Sequence, residues 1–143
     1  MNSEYFNILI NLCDKSIEFH DIPIGAIIVL NDKIIGYGYN TRERDTNILG
    51  HAEINAILDA QRKINNWNLS GSTMYVTLKP CSMCTEIIRQ SRISDVFYLL
   101  DKPDNKKEFY KTSFKKIDSC ENEEIIEYKL GNFFKNLRNK NIK

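Results

Sequence analysis

The sequence predicts an α/β layered domain with a mixed sheet, and three observations point to this fold class. Its 143 residues are the usual length of a single domain. Hydrophobic residues make up 42% and charged residues 27% of the chain, which is close to the composition of globular proteins. Helical stripes alternate with short apolar runs in the order α-β-β-α-β-α-β. Because only parallel neighbours need a helical crossover, this order favours a sheet that mixes parallel and antiparallel pairs.

The first part of the pattern predicts a helix followed by a hairpin. Residues 4–19 carry apolar side chains at helical spacing, which is typical of an amphipathic helix. The nearly continuous apolar run of residues 25–30 predicts a strand covered on both faces. Asn31 and Asp32 predict a tight turn into a second strand over residues 33–39. We expect these two strands to pair as a hairpin.

The second part predicts two helices and two further strands. Residues 40–50 are polar and indicate a surface loop, and residues 51–64 have the spacing of a second helix. Residues 74–78 are β-prone and predict the third strand. Pro80 opens a helix that runs to about residue 91, because proline suits the first helical position. Residues 95–100 predict a fourth strand.

Beyond residue 101 the patterning weakens. Residues 102–116 mix lysines with aromatic side chains, which fits either a helix with a solvated basic face or a segment that contacts RNA. Residues 121–127 are acidic, and residues 129–143 carry five basic side chains and no acidic one. No internal repeat or second domain is apparent, so we expect one domain over residues 1–143.

Charge and cysteine content restrict the class of protein. Twenty Lys and Arg against nineteen Asp and Glu give a net charge of +1, so any contact with RNA must be local. No run of 18 apolar residues and no secretory signal pattern occurs, so we expect no membrane contact. Two of the four cysteines lie in a C-x-x-C motif, which fits a reducing cytoplasm better than a disulfide framework.

The residues that carry chemistry are His51 and the pair Cys81 and Cys84, which follows Pro80. One imidazole and two thiolates are three ligands that suit Zn²⁺, and three protein ligands indicate an open, catalytic site. Both cysteines fall at the start of a predicted helix, where the helix dipole favours the thiolate. A redox pair or part of a zinc ribbon is the alternative, but neither explains Glu53.

Glu53 is predicted to act on protons and not to bind the metal. Residues two apart on a helix point about 200° from one another, so His51 and Glu53 cannot share a helix face. They converge only if the metal lies off the end of the helix. There Glu53 would take a proton from water and deliver it to a substrate nitrogen or a leaving amine.

The sequence resembles the cytidine/deoxycytidylate deaminase superfamily, whose zinc signature is H-x-E followed by P-C-x-x-C. Within that superfamily it is most similar to the bacterial tRNA adenosine deaminases. The resemblance is strongest over residues 1–100, and residues 101–143 diverge. It implies a three-layer α/β/α fold around a central mixed sheet of five strands. The matching stretches are residues 22–26, 36–40, 51–57, 66–71, 74–78, 80–84 and 91–93.

The resemblance also implies residue roles and a reaction. It implies that zinc is bound by His51, Cys81 and Cys84, with Glu53 as the proton shuttle. It further implies a homodimer that converts the wobble adenosine of a tRNA anticodon to inosine. The residues expected to contact the substrate are Asn40, Ala52 and Pro80, together with Lys135 and Arg138 as possible RNA contacts.

Three differences from the family pattern leave other functions open. Lys79 stands where a glutamate is usual, Thr85 and Glu86 replace small residues, and the tail is shorter. One alternative is a deaminase of a free nucleobase, nucleoside or nucleotide of the cytosine, deoxycytidylate or guanine type. A second is an inactive zinc-stabilised subunit or binding module, although a purely structural site has no need of Glu53.

Overall fold

The computed structural model describes residues 1–102 and 112–141. The chain divides into two compact units, Met1–Asp104 and Asn105–Lys143. Most of the predicted lysine–aromatic segment falls on residues 103–111, outside the described residues. The expectation of a single domain over residues 1–143 stays a prediction.

The first unit contains a four-stranded mixed sheet in the order β2-β1-β3-β4. Strand β1 pairs antiparallel with β2 and β3, whereas β3 and β4 are parallel. The predicted element order and the mixed sheet are thus confirmed. The fifth strand implied by the family resemblance does not occur among the described residues. The elements are α1 (Ser3–Glu18), β1 (Gly25–Leu30), β2 (Lys33–Tyr39), α2 (Ala52–Ile64), β3 (Thr73–Leu78), α3 (Ser82–Gln90) and β4 (Asp95–Leu100).

The predicted hairpin of β1 and β2 is confirmed, and its turn follows from local sequence. Asn31 and Asp32 have φ angles of 51° and 63°, so both lie in the left-handed region that a two-residue type I′ turn requires. Asparagine and aspartate enter this region more readily than other non-glycine residues. The turn sets the register, with Leu30 paired with Lys33.

Strand β1 is buried on both faces because its side chains alternate between two hydrophobic clusters. Ala26 and Ile28 pack on the side of α2 and α3, and Ile27 packs on the side of α1 with Leu9 and Leu12. The sheet therefore lies between α1 on one face and α2 with α3 on the other. This arrangement brings the start of α2 to the end of β2, where the candidate site lies.

Gly38 allows β2 to lie directly against the first turn of α2. A Cβ atom at this position would lie 2.2 Å from the carbonyl oxygen of Ala52 and 2.4 Å from the backbone nitrogen of Ala56. Both neighbours are backbone atoms of one helix, so neither can move without displacing α2.

We expect Gly38→Ala to lower the free energy of unfolding by about 1–3 kcal/mol, because overpacking forces backbone shifts. Denaturant unfolding monitored by circular dichroism measures this change. Gly131→Ala is the matched control, since nothing lies within 4 Å of that position. Gly131 lies inside a helix, so alanine there should be neutral or stabilise the protein. Equal unfolding midpoints for the two variants would contradict the close-contact explanation.

The second unit contains helix α4 (Cys120–Asn141), where the sequence pattern predicts no element. Its first turn carries Glu121 and Glu123 and its last turn carries Arg138 and Lys140, charges that complement the helix dipole. This order of charges, acidic before basic, is the sequence feature that could have predicted the helix.

No helix among the described residues is both long and apolar enough to cross a membrane.

Candidate active site

His51 and Cys81 occupy equivalent places at the starts of two helices. His51 is the N-cap of α2 and Cys81 is the N-cap of α3, each with an extended backbone. Cys84 is the third residue of α3 and is fully buried. Helix α3 therefore begins at Ser82 and not at Pro80, which corrects the predicted start. The reason is the ψ angle of 173° at Cys81, which is incompatible with a helical turn at that residue.

The three side chains are spaced as zinc ligands. His51 Nδ1 lies 3.5 Å from Cys84 Sγ and 3.8 Å from Cys81 Sγ. All three ligand atoms lie within 4.8 Å of one another. Zn–S distances of about 2.3 Å and Zn–N distances of about 2.0–2.1 Å at a tetrahedral angle require an N···S separation of about 3.6 Å. The donor set and its spacing therefore fit a zinc ion with one position left open.

The two thiols of this cluster differ in acidity. A hydrogen bond from the Cys84 thiol, together with the N–H groups of Met83 and Cys84 at the helix start, lowers the pKa of Cys81 to about 5. The same thiol–thiol contact and burial raise the pKa of Cys84. Cys81 is thus the more acidic of the two thiols, which favours the thiolate form that binds a cation.

Glu53 lies in the first turn of α2 and is only 4% exposed. Its carboxyl group lies close enough to Cys84, Cys81 and His51 to interact with all three, so the side chain faces the ligand cluster. Burial raises its pKa above the usual range, which makes the carboxylate a better proton acceptor. His51 and Glu53 are thus neighbours at the start of α2, with both side chains close to the two cysteines.

The three residues expected to contact the substrate lie on elements that adjoin the cluster. Asn40 directly follows β2 and is 7% exposed, and Ala52 is the first residue of α2 and is fully buried. Pro80 connects β3 to α3, immediately before Cys81. The two possible RNA contacts, Lys135 and Arg138, lie on α4 in the second unit.

The polar side chains that hold Asn40 and the loop after it were not predicted from the sequence. Ser16 and Asn55 bond to Asn40 and its neighbours, and the carboxylate of Asp21 accepts hydrogen bonds from the backbone N–H groups of Glu43 and Arg44. Ser16 occurs on the same helical stripe as buried leucines, and Asn55 follows the buried Ala52 by three residues on one side of its helix. A polar residue within an apolar stripe was the available signal.

Comparison with known proteins agrees with this geometry. The family model for the cytidine and deoxycytidylate deaminase zinc-binding region matches residues 1–100. A tRNA-specific adenosine deaminase of Buchnera aphidicola is 39% identical over 126 residues, which cover 82% of this chain and 83% of the relative. Relatives of the same name from Streptococcus pyogenes are 42% identical to this chain over 85 residues. This chain spans about half the length of those relatives.

Two solved structures share the fold. One, from a study of A-to-I editing by tRNA:A34 deaminases at the wobble position, has a TM-score of 0.68 and 30% identity. The structural match covers 71% of this chain and 78% of the chain in that solved structure. Guanine deaminase from Bacillus subtilis has a TM-score of 0.75 over 92% of this chain and 95% of its own, but its 23% identity shows only the fold. With the matched zinc-binding region and the His–Cys–Cys cluster, these similarities show that the chain belongs to the cytidine and deoxycytidylate deaminase family.

Proposed function

We propose that this protein is a zinc-dependent hydrolase that deaminates adenosine to inosine at the wobble position of a tRNA anticodon. The observation that carries the proposal is the convergence of His51 Nδ1 with the two cysteine sulfurs beside a buried Glu53. The choice of substrate is supported by the Buchnera relative, a tRNA-specific adenosine deaminase that matches most of this chain.

In this proposal His51, Cys81 and Cys84 would hold Zn²⁺, which would supply Lewis-acid chemistry that lowers the pKa of water to about 7. Glu53 Oε accepts one proton from the attacking water and delivers it to the purine ring nitrogen as the C6–O bond forms. It then takes the second proton from the new C6 hydroxyl and gives it to the amine as the C6–N bond breaks and ammonia leaves. Each cycle consumes one water and releases one ammonia, so Glu53 returns to its starting state.

The remaining site residues would contact the substrate. The Nδ2 group of Asn40 would donate to the nucleoside, and the backbone of Ala52 and the ring of Pro80 would contact the base. An anticodon base must leave its stack to reach such a pocket, which is least costly in a single-stranded loop. The protein would act in the cytoplasm, where tRNA is modified. It would act as a homodimer in which each chain forms one deaminase domain over residues 1–143.

The decisive experiment is incubation of zinc-loaded protein with tRNA and, separately, with free adenosine, cytidine, deoxycytidylate and guanine. Inosine at the wobble position is expected, and it is detected because sequencing reads inosine as guanosine. Turnover of a free compound without inosine in tRNA would instead assign the chain to the small-molecule deaminases. Zinc binding without turnover of any substrate would identify a zinc-stabilised subunit.

Lys135 and Arg138, in the last two turns of α4, are the proposed contacts to RNA phosphates. If Lys135 and Arg138 each neutralise one phosphate, replacing both by glutamine should weaken tRNA binding. It should also reduce the slope of log affinity against log salt by about 1.4, since each phosphate on a single strand contributes about 0.7. Fluorescence anisotropy with labelled anticodon stem-loop measures both quantities.

The matched control for this prediction is Lys33→Gln with Lys63→Gln, which removes two positive charges from exposed positions elsewhere. An equal loss of affinity in both double variants would indicate a general charge effect. In that case α4 would not be an RNA contact.

A further inference from the structure

We propose that Asn55 and Ser16 are positioning residues that hold Asn40 in place to bind the nucleoside. This inference rests on the proposed function, because it assigns Asn40 to the substrate. It extends that function by naming two residues that set substrate affinity without touching the substrate.

Asn55 is bonded to both neighbours of Asn40. Its Nδ2 donates to the carbonyl oxygen of Tyr39 at 2.9 Å and to Thr41 Oγ1 at 3.0 Å. These two bonds use both hydrogens of the amide, so the side chain has one defined orientation. The chain on each side of Asn40 is thereby attached to helix α2.

The same residue is linked to the metal-ligand end of α2. The backbone N–H of Asn55 donates to the carbonyl oxygen of His51 at 3.0 Å, within the first turn of the helix. Asn55 therefore joins the backbone of a zinc ligand to the strand end that carries Asn40. A displacement of this side chain would change the position of Asn40 relative to His51.

Ser16 fixes Asn40 from the opposite side. Its fully buried Oγ donates to the carbonyl oxygen of Asn40 at 3.0 Å, and the N–H of Asn40 donates to Ile24 at 3.2 Å. The side-chain Oδ1 of Asn40 accepts from the N–H of Arg42 at 3.0 Å. Every polar group of Asn40 except Nδ2 is thus occupied.

The Nδ2 of Asn40 binds no acceptor among the described residues. Because the bond to Arg42 fixes the orientation of the amide, Nδ2 points in a set direction with two hydrogens to donate. A donor held in this way suits the recognition of a hydroxyl or carbonyl oxygen on a nucleoside. Holding it in advance avoids the entropy of ordering a side chain on binding.

The test measures KM and kcat separately on zinc-loaded protein for Asn55→Ala, Asn55→Asp and Ser16→Ala. Each variant removes donors that hold Asn40, so each should raise KM roughly 3–10-fold, the effect of losing one neutral hydrogen bond. The kcat should stay within about twofold, because uniform binding is lost and Glu53 is untouched. Asn55→Asp keeps nearly the same size and provides a readout if the alanine variant folds poorly.

Two control variants remove hydrogen bonds away from Asn40. Ser72→Ala deletes a fully buried serine that donates to Leu69, and Gln61→Ala deletes an exposed amide on α2 that donates to Trp67. Thermal melts of Ser16→Ala and Ser72→Ala should fall by similar amounts, because both serines are fully buried. Only the test variants should change KM, so a rise in KM for the controls would contradict the proposal.

A double-mutant cycle decides whether Asn55 acts through Asn40. In an Asn40→Ala background, Asn55→Ala should change KM by less than about twofold, because the group that it positions is already absent. A full effect of Asn55→Ala in that background would overturn the proposal.

The cycle is measured on whichever substrate the wild-type protein converts. If that substrate is a free base, the proposed function fails while the coupling is still tested. If nothing is converted, both proposals fail.

Discussion

Glu53→Gln is expected to retain zinc and the fold while it loses turnover by a factor of at least about 10²–10⁴, the usual contribution of general acid–base catalysis. Glutamine has nearly the same size and hydrogen-bonds in the same place, but it cannot accept a proton from water. The wild-type carboxylate is buried and faces Cys84, so solvent has little access to replace it as the proton acceptor.

Three measurements on the same preparation test this expectation. Metal analysis should give about one zinc per chain for both proteins, circular dichroism should give similar melts, and only kcat should differ. Glu86→Gln is the matched control, because Glu86 is an exposed carboxylate on α3 whose ion pair is with Arg89. An unchanged kcat in fully zinc-loaded Glu53→Gln would contradict the role of Glu53.

The second large effect is expected from Cys81→Ser, which should lose zinc and a substantial part of the protein's stability. Serine is nearly the same size as cysteine and is a favourable N-cap residue, so helix α3 itself should be unharmed. A loss of stability would then reflect the lost metal. A bound metal stabilises the folded state by about 4 kcal/mol when its free concentration is a thousand times Kd.

Chelation provides the complementary measurement. EDTA should lower the melting temperature of the wild-type protein towards that of Cys81→Ser and leave the variant unchanged. Cys120→Ser is the matched control, because Cys120 is exposed on α4 and is outside the ligand cluster. Full zinc occupancy in Cys81→Ser, or an equal response of both variants to EDTA, would contradict the assigned ligands.

Much of the secondary structure could be predicted because its determinants are local. Strands β1, β2 and β4 have the predicted bounds, and the turn at Asn31 and Asp32 has the left-handed backbone that those residue types favour. The start of α3 was predicted two residues too early, since proline is compatible both with a first helical turn and with the extended segment before one. Helix α4 was missed because its stabilising charges lie at opposite ends, outside any short window.

By itself, the sequence determined which residues are chemically able to bind zinc and move a proton. His51, Glu53, Cys81 and Cys84 are identified by residue type and spacing, together with family resemblance. Only the tertiary structure decided that the His51 nitrogen lies within 3.8 Å of both sulfurs, 30 and 33 residues away along the chain.

The tertiary structure also decided how Asn40 and its neighbour Tyr39 are held, by hydrogen bonds that span 24 and 16 positions along the chain. A hydrogen bond or a ligand set between distant residues depends on how the helices pack on the sheet. That packing follows from the burial of many side chains together, so no local pattern contains it.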